Sequence, residues 1–275
     1  MLEAKKKLIL TFDVELWDEG EWLKPFITSD MYKIDTFPKS IKNIIDLLDK
    51  YGGHATFFTT LEIIEKYPEI IKDISAKGHE IGIHGPKHKK LKNYSREEFR
   101  QDCIHEIEYI KKITGKKPLG YRAPHFSLNK ETDWVLATLK ELDFKYDSSI
   151  FPINLGEYGV SKAPTSRYEI IQGLLEIPIT VAEFGKVRIP FAGGIYFRFL
   201  PYGIFNLLLA RAFKQKNTPM VYFHPHELEP ETPQITSGPR LKRYIKYFGV
   251  KKGLKKLEDI IKNYDCVSIE EIFFK

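Results

Sequence analysis

The 275 residues are 43% hydrophobic and 29% charged with a formal net charge of +6, ordinary soluble globular composition, and long enough for one α/β barrel or two small domains. The basic surplus is scattered, its densest runs (Lys5–Lys7, Lys251–Lys252, Lys255–Lys256) short and far apart, so no nucleic-acid stripe is expected. No apolar run approaches the roughly 20 residues of a membrane span, Leu8–Leu10 is too short for a secretory signal, and Cys103 and Cys266 form no metal or redox motif, so buried free thiols and a cytoplasmic location are expected.

Lys7–Phe12 reads as a fully buried first strand ending in Asp13-Val14-Glu15, two carboxylates where strand meets loop. Residues 16–35 form an aromatic-rich loop carrying Trp17, Trp22, Phe26 and Tyr32. A helix over about Phe37–Lys50 places Ile41, Ile44, Ile45 and Leu48 on one face, Gly52-Gly53 stops it, and His54–Phe58 is the second strand. Leu61–Lys77 is helical with Pro68 interrupting. The stretch Gly78-His79-Glu80-Ile81-Gly82-Ile83 is a short buried strand that runs into His84, with Gly85-Pro86 breaking it and His88 following. Ser95-Arg96-Glu97-Glu98 has the form of a capping box and launches a helix to about Thr114, closed by Gly115.

Leu119–Pro124 is a short strand ending at Arg122, Glu131–Leu142 a helix, and Phe144–Asp147 the next strand. Residues 150–173 are a long excursion, Leu174–Ile179 returns to strand, and the chain around Gly193-Gly194 is irregular. Pro201–Lys214 is helical, Met220–Phe223 a strand ending in His224, and a helix near Leu254–Asn263, a strand at Cys266–Ser268 and a last short helix complete the alternation. Alternating strands and helices with no linker predict parallel strands with crossover helices in one domain over residues 1–275.

Histidines at 84 and 88, four apart at a strand end, can both reach one ion. The same pair also reads as solvated histidines beside Lys87, Lys89 and Lys90, and the pair alone does not decide. The polar residues Asp13, His84, Arg122, Asp147 and His224 all fall at C-terminal ends of strands, which in a parallel barrel share the face where active sites sit.

With those points in place, the chain resembles the polysaccharide deacetylases, the NodB-homology carbohydrate esterase family 4. The resemblance rests on Thr11-Phe12-Asp13, His84-Gly-Pro-Lys-His88, Arg122-Ala123-Pro124, Asp147 and Phe223-His224, and covers roughly residues 7–228. Phe12–Glu15, Tyr146–Pro152 and Gly194–Arg198 look like an exopolysaccharide-associated branch. The resemblance implies a distorted, TIM-like (β/α)7 barrel, one divalent metal (zinc, with cobalt or nickel as alternatives) and hydrolysis of N-acetyl groups from amino sugars. It also implies His84 and His88 as metal ligands, Arg122 as partner of the catalytic base, the backbone N–H of His125 as oxyanion donor, and His224 as general acid oriented by a carboxylate, Asp147.

The family's first motif has adjacent aspartates, whereas here Val14 separates Asp13 from Glu15. Asp13 is read as base and Glu15 as ligand; the reverse, with Asp13 on the metal, stays open. Ser148 stands where the family often has tryptophan, so Tyr196, Phe126, Phe197 and the loop with Trp17 and Trp22 are candidates for the substrate wall. A saccharide substrate, no nucleic acid and no membrane span are expected. A hydrolase of the same fold acting on a small amide or cyclic ureide, and a glycan-binding relative without turnover, remain alternative readings.

Overall fold

The computed structural model describes residues 4–19, 23–153, 159–215 and 218–275; Trp22 lies outside them. β1 (Lys7–Val14) is buried beyond its first residue, as a strand covered on both faces must be. α1 (Phe37–Tyr51) has Pro38 in its first turn and ends at Gly52, whose φ of 69° provides the left-handed cap. β2 (Thr56–Thr59) is followed by two helices, α2 (Leu61–Lys66) and α3 (Pro68–Ala76). Pro68 cannot extend the first helix and suits the opening turn of the second. β3 (Glu80–Ile83) leads to the histidine turn, and Ser95 caps α4 (Arg96–Thr114) by accepting from the Glu98 N–H.

β4 (Gly120–Tyr121), α5 (Trp134–Glu141) and β5 (Tyr146–Asp147) continue the alternation. The excursion then returns as β6 (Tyr168–Ile171), antiparallel to β7 (Leu174–Glu176). A separate hairpin, β8 (Val181–Phe184) with β9 (Val187–Pro190), precedes α6 (Gly194–Phe199) and α7 (Tyr202–Lys214). β10 (Met220–Phe223), α8 (Arg240–Tyr247), α9 (Val250–Asn263), β11 (Asp265–Val267) and α10 (Ile269–Phe273) complete the chain. β6, the β8–β9 hairpin, α6 and α8 are not apparent in the sequence, because segments this short carry little periodicity.

The strands pair in the order β10-β1-β2-β3-β4-β5-β7-β6, with β11 beside the start of β1. The seven from β10 to β7 are joined in parallel, the distorted seven-stranded barrel expected. Register fixes which side chains enter it. Asp13, Phe58 and Gly82 are in line, as are Gly120 and Tyr146. A Cβ on Gly82 would lie 2.6 Å from the Phe58 ring, and one on Gly120 would lie 1.9 Å from the Tyr146 ring. These two glycines therefore give the interior room for those rings, and any side chain there would overpack it.

Candidate metal centre and active site

Strand alternation puts Thr11, Asp13 and Glu15 on one face of β1 and its exit. Arg122 confirms it by reaching two of them: its Nη1 donates to Thr11 Oγ1 at 2.9 Å and to Asp13 Oδ1 at 2.6 Å. The guanidinium is fully buried, donates from Nη2 to Ser148 Oγ at 3.0 Å and from Nε to the Ser148 carbonyl at 3.2 Å, and lies 4.2 Å from the centre of the Phe58 ring. A charge this deep is tolerable because it is paired and nearly every N–H is used.

Glu15, one residue beyond the strand, meets the two histidines. Its Oε1 is 2.9 Å from His84 Nε2 and 2.8 Å from His88 Nε2. One ligand atom from each of the three residues falls within 4.8 Å of the others. His84 Nδ1 lies 3.1 Å from the Arg122 carbonyl. A carbonyl only accepts, so Nδ1 carries the proton and Nε2 turns its lone pair to Glu15. His88 reaches the same point because Gly85 and His88 itself are left-handed, with φ of 66° and 50°. The other nitrogen of His88 is 3.3 Å from Glu19 Oε2, while Glu19 Oε1 accepts from the Leu16 N–H at 3.1 Å.

The electrostatics follow from this crowding. Burial alone would raise the Glu15 carboxyl, but His88 and His224 hold it well below its usual value. Burial would lower His88, but Glu15 and Glu19 push it up to about 9. Burial lifts Glu19 to about 7. The convergence of the three ligand atoms, not their titration, is what could hold an ion.

His224 closes the constellation from the end of β10. Its Nε2 is 3.6 Å from Glu15 Oε1, and its Nδ1 is 3.0 Å from Glu227 Oε2. Glu227 also accepts from the His224 backbone N–H at 3.1 Å and pairs with Arg198 at 3.1 Å. Burial would raise the Glu227 carboxyl, but His224 and Arg198 hold it far down.

A family model described as polysaccharide deacetylase matches residues 3–146, just over half of the chain. The chain belongs to the polysaccharide deacetylase family. A domain of unknown function (DUF3473) matches residues 148–274, yet the sheet passes straight over that boundary, Asp147 of β5 pairing with Glu176 of β7. The chain is 34% identical over 120 residues to the peptidoglycan deacetylase of Helicobacter pylori, covering 44% of this chain and 40% of that protein. It is 34% identical over 94 residues to the peptidoglycan-N-acetylmuramic acid deacetylase PdaC of Bacillus subtilis, covering 34% of this chain and 20% of that one. It thus spans well under two thirds of these relatives.

A crystal structure of a candidate polysaccharide deacetylase from Mycobacterium smegmatis superposes with a TM-score of 0.60 and 19% identity, over 99% of this chain and 90% of its own. A solved peptidoglycan N-acetylglucosamine deacetylase gives 0.51 at 17% identity, over 99% of this chain and 90% of its own. Both likenesses establish the deacetylase barrel as the fold.

Against the family pattern the geometry is specific. Glu15 stands with the histidines and Asp13 with Arg122, the arrangement that the reading of Glu15 as ligand and Asp13 as base requires. Asp147 does not reach His224. In the sheet register Asp147 is level with Tyr121, the neighbour of inward-pointing Arg122, so both point outward and Ser148 points in instead. Asp147 accepts from Ser149 Oγ at 2.5 Å, and Ser149 Oγ accepts from the Ala123 N–H at 2.8 Å. Burial raises Asp147 to about 6 and its neighbour Glu176 much further. The carboxylate on His224 is Glu227.

His125 is brought to the centre, its ring 5.0 Å from that of His88, and His125 and Phe126 are both left-handed at φ 56° and 49°. The expected substrate wall fares less well. Phe126 is buried against Tyr222 and Phe151. Trp17 is buried with Leu23 and Ile235, its carbonyl taken by Lys246 Nζ at 2.6 Å. Both serve packing, because an aromatic ring flanked by apolar neighbours gains more from burial than from standing in solvent. Tyr196 is half-buried against the core. Glu227 and Glu19 were not singled out from the sequence. The signal for Glu227 was present: a residue three after a cap position, with Pro225 opening the turn, is where a capping carboxylate sits, and His224 and Glu227 do form that reciprocal cap.

Proposed function

We propose that this chain is a metal-dependent hydrolase that removes N-acetyl groups from an amino-sugar-containing saccharide. The observation that carries the reading is the convergence of Glu15, His84 and His88 with an arginine-paired aspartate and a glutamate-paired histidine. The donor set fits a divalent ion. Glu15 Oε1 and His84 Nε2 are lone-pair atoms facing each other at 2.9 Å, a contact that only a shared cation or proton makes favourable. Two imidazoles and one carboxylate suit zinc, with cobalt and nickel close behind. Glu15, His84 and His88 would hold it, and such an ion, when bound, polarises an amide carbonyl and acidifies water.

The side chains supply the remaining steps. Asp13, fixed by Arg122, accepts a proton from the water that adds to the acetyl carbonyl carbon. The left-handed turn at His125 supplies a backbone N–H for the oxyanion. His224, held through Nδ1 by Glu227, gives a proton from Nε2 to the amine nitrogen as the C–N bond breaks, leaving acetate and the free amine. Glu227 fixes the imidazole's orientation and stabilises its cationic form, as a buried carboxylate does in other acid–base pairs. Two relatives named for peptidoglycan put an N-acetylated glycan first among substrates. The cytoplasmic placement expected from two buried free thiols belongs to this proposal and is checked by fractionating cells.

The test is acetate release from N-acetylglucosamine oligomers, with bound metal measured by mass spectrometry. Release that stops with chelator, returns with zinc and is lost in Asp13→Asn and His84→Ala supports the reading. Metal bound through His84 without acetate release on any N-acetylated glycan would leave the metal centre standing and the substrate wrong.

A further inference from the structure

The basic residues are spread along most of the chain, but one stretch rich in them carries an exposed apolar face. From Arg240 to Lys256 the chain has eight lysines and arginines and no carboxylate. The stretch contains α8, none of whose residues is fully buried. Its inner side is anchored: the Tyr247 hydroxyl donates to the Pro233 carbonyl and accepts from the Ile235 N–H, both at 2.9 Å, and Lys246 is tied to the Trp17 carbonyl. Its outer side carries Leu241, 69% exposed, and Tyr244, 55% exposed. Phe199 of α6 extends that face, its ring 5.9 Å from Tyr244 and 4.4 Å from Phe248, with Tyr244 and Phe248 themselves 5.1 Å apart. Ile195, one helical turn before Phe199, is also exposed.

We propose that this face, Leu241, Tyr244, Phe248, Phe199 and Ile195 with the exposed Arg240, Lys242, Lys251 and Lys252 nearby in the chain, docks on an anionic lipid surface. A short amphipathic helix with leucine and aromatic side chains outward and cations at the flanks inserts its apolar side at the headgroup boundary and draws on the surface charge. The charge chooses the partner: an uncharged apolar protein surface would gain nothing from the cations, and a nucleic acid would gain nothing from the exposed leucine and isoleucine. The face is also coupled to the site. Arg198 donates through Nη1 to the carbonyls of Ile245 and Lys246 at the end of α8, at 3.2 and 3.1 Å, and through Nη2 to Glu227, the partner of His224. The inference concerns the surface alone and stands whether or not the chain is a deacetylase.

The experiment is flotation of the full chain with vesicles of phosphatidylcholine alone or with about a third phosphatidylglycerol, at low and high salt. The expected result is binding to the anionic vesicles that falls roughly tenfold or more on neutral vesicles and at high salt. Leu241→Ser with Tyr244→Ser, and separately Arg240→Ser with Lys251→Ser and Lys252→Ser, should each weaken binding by a similar factor with an unchanged thermal midpoint, since all five positions are exposed. Wild-type protein that stays unbound on anionic vesicles overturns the proposal. So does binding that survives in both variants. Dimerisation in sedimentation that disappears in Leu241→Ser with Tyr244→Ser would overturn it too, giving the face to a second copy of the chain.

Discussion

The two ends of β3 carry one histidine each, and the contrast between them separates the working end of the barrel from its base. His84, at the strand's exit, has Nδ1 on the Arg122 carbonyl and Nε2 on Glu15. His79, at its entrance, is as deeply buried, yet neither ring nitrogen has a hydrogen-bond partner among the described residues. Its ring packs against His54 and Phe57, and burial, helped by His54, brings its pKa down to about 4. Residue type and burial are the same. What differs is the company of the ring nitrogens, which at the exit comes from two other strand ends, those of β1 and β4, and at the entrance from rings. A parallel barrel concentrates chemistry on one face and leaves the other to stability.

The contrast can be broken most severely at the exit. Arg122→Met should leave Asp13 buried without its counter-charge and cost about 3–5 kcal/mol in urea unfolding; a loss below about 1 kcal/mol would mean that the pair is not holding the interior together. Glu15→Gln should keep the fold while lowering zinc affinity, measured by competition with a chromogenic chelator, by more than the roughly 10–100-fold that outer groups contribute. Unchanged zinc affinity would move the centre away from Glu15.

A finer cut compares carboxylates at exits that face opposite ways. Glu227→Gln should lower kcat for acetate release by roughly 10–100-fold while zinc stays bound, because it orients His224 without touching the ion. Asp147→Asn, which faces away from the site, should stay within roughly threefold. The reverse ranking would return the acid's partner to Asp147.

The smallest effect belongs to the entrance. The folded chain favours neutral His79, with a pKa of about 4 against 6.5 for the free group. Its contribution to stability is therefore complete above the unfolded value, declines as pH falls through 6.5, and is gone below about 4. Between pH 7 and 5 the wild type should lose about 2 kcal/mol more than His79→Phe in urea unfolding. Parallel curves over that range would show that His79 is not proton-sensitive.

Much of this was legible in the chain. The order of strands and helices could be read because Pro68, Gly52, Ser95 and Gly115 mark boundaries that the backbone obeys for steric reasons. Asp13, His84, Arg122 and His224 could be placed on one face because each lies at the end of a strand, and Glu15 and His88 follow two of those ends within four residues. Asp147 could not be placed correctly by the same rule. Ending a strand puts a residue at the right height, but facing inward depends on register with the neighbouring strand, and β5 is only two residues long. Glu227 was hidden for the opposite reason: it lies on a turn, where alternation gives no direction. Phe126 and Trp17 were not legible as packing residues, because composition does not tell a ring that lines a cleft from one that fills the space behind it.

β1 is flanked by β10 and β11, both more than 200 residues further along the chain. A nascent chain holding everything through His88 has Glu15, His84 and His88 but leaves the edge of β1 that takes β10 unpaired. His224 arrives with β10, and the helix whose carbonyls Arg198 binds comes later still. High sequence separation of this kind slows closure, and it also sets an order of events: under the proposed mechanism, a copy made only through His88 would hold the donor set without the acid.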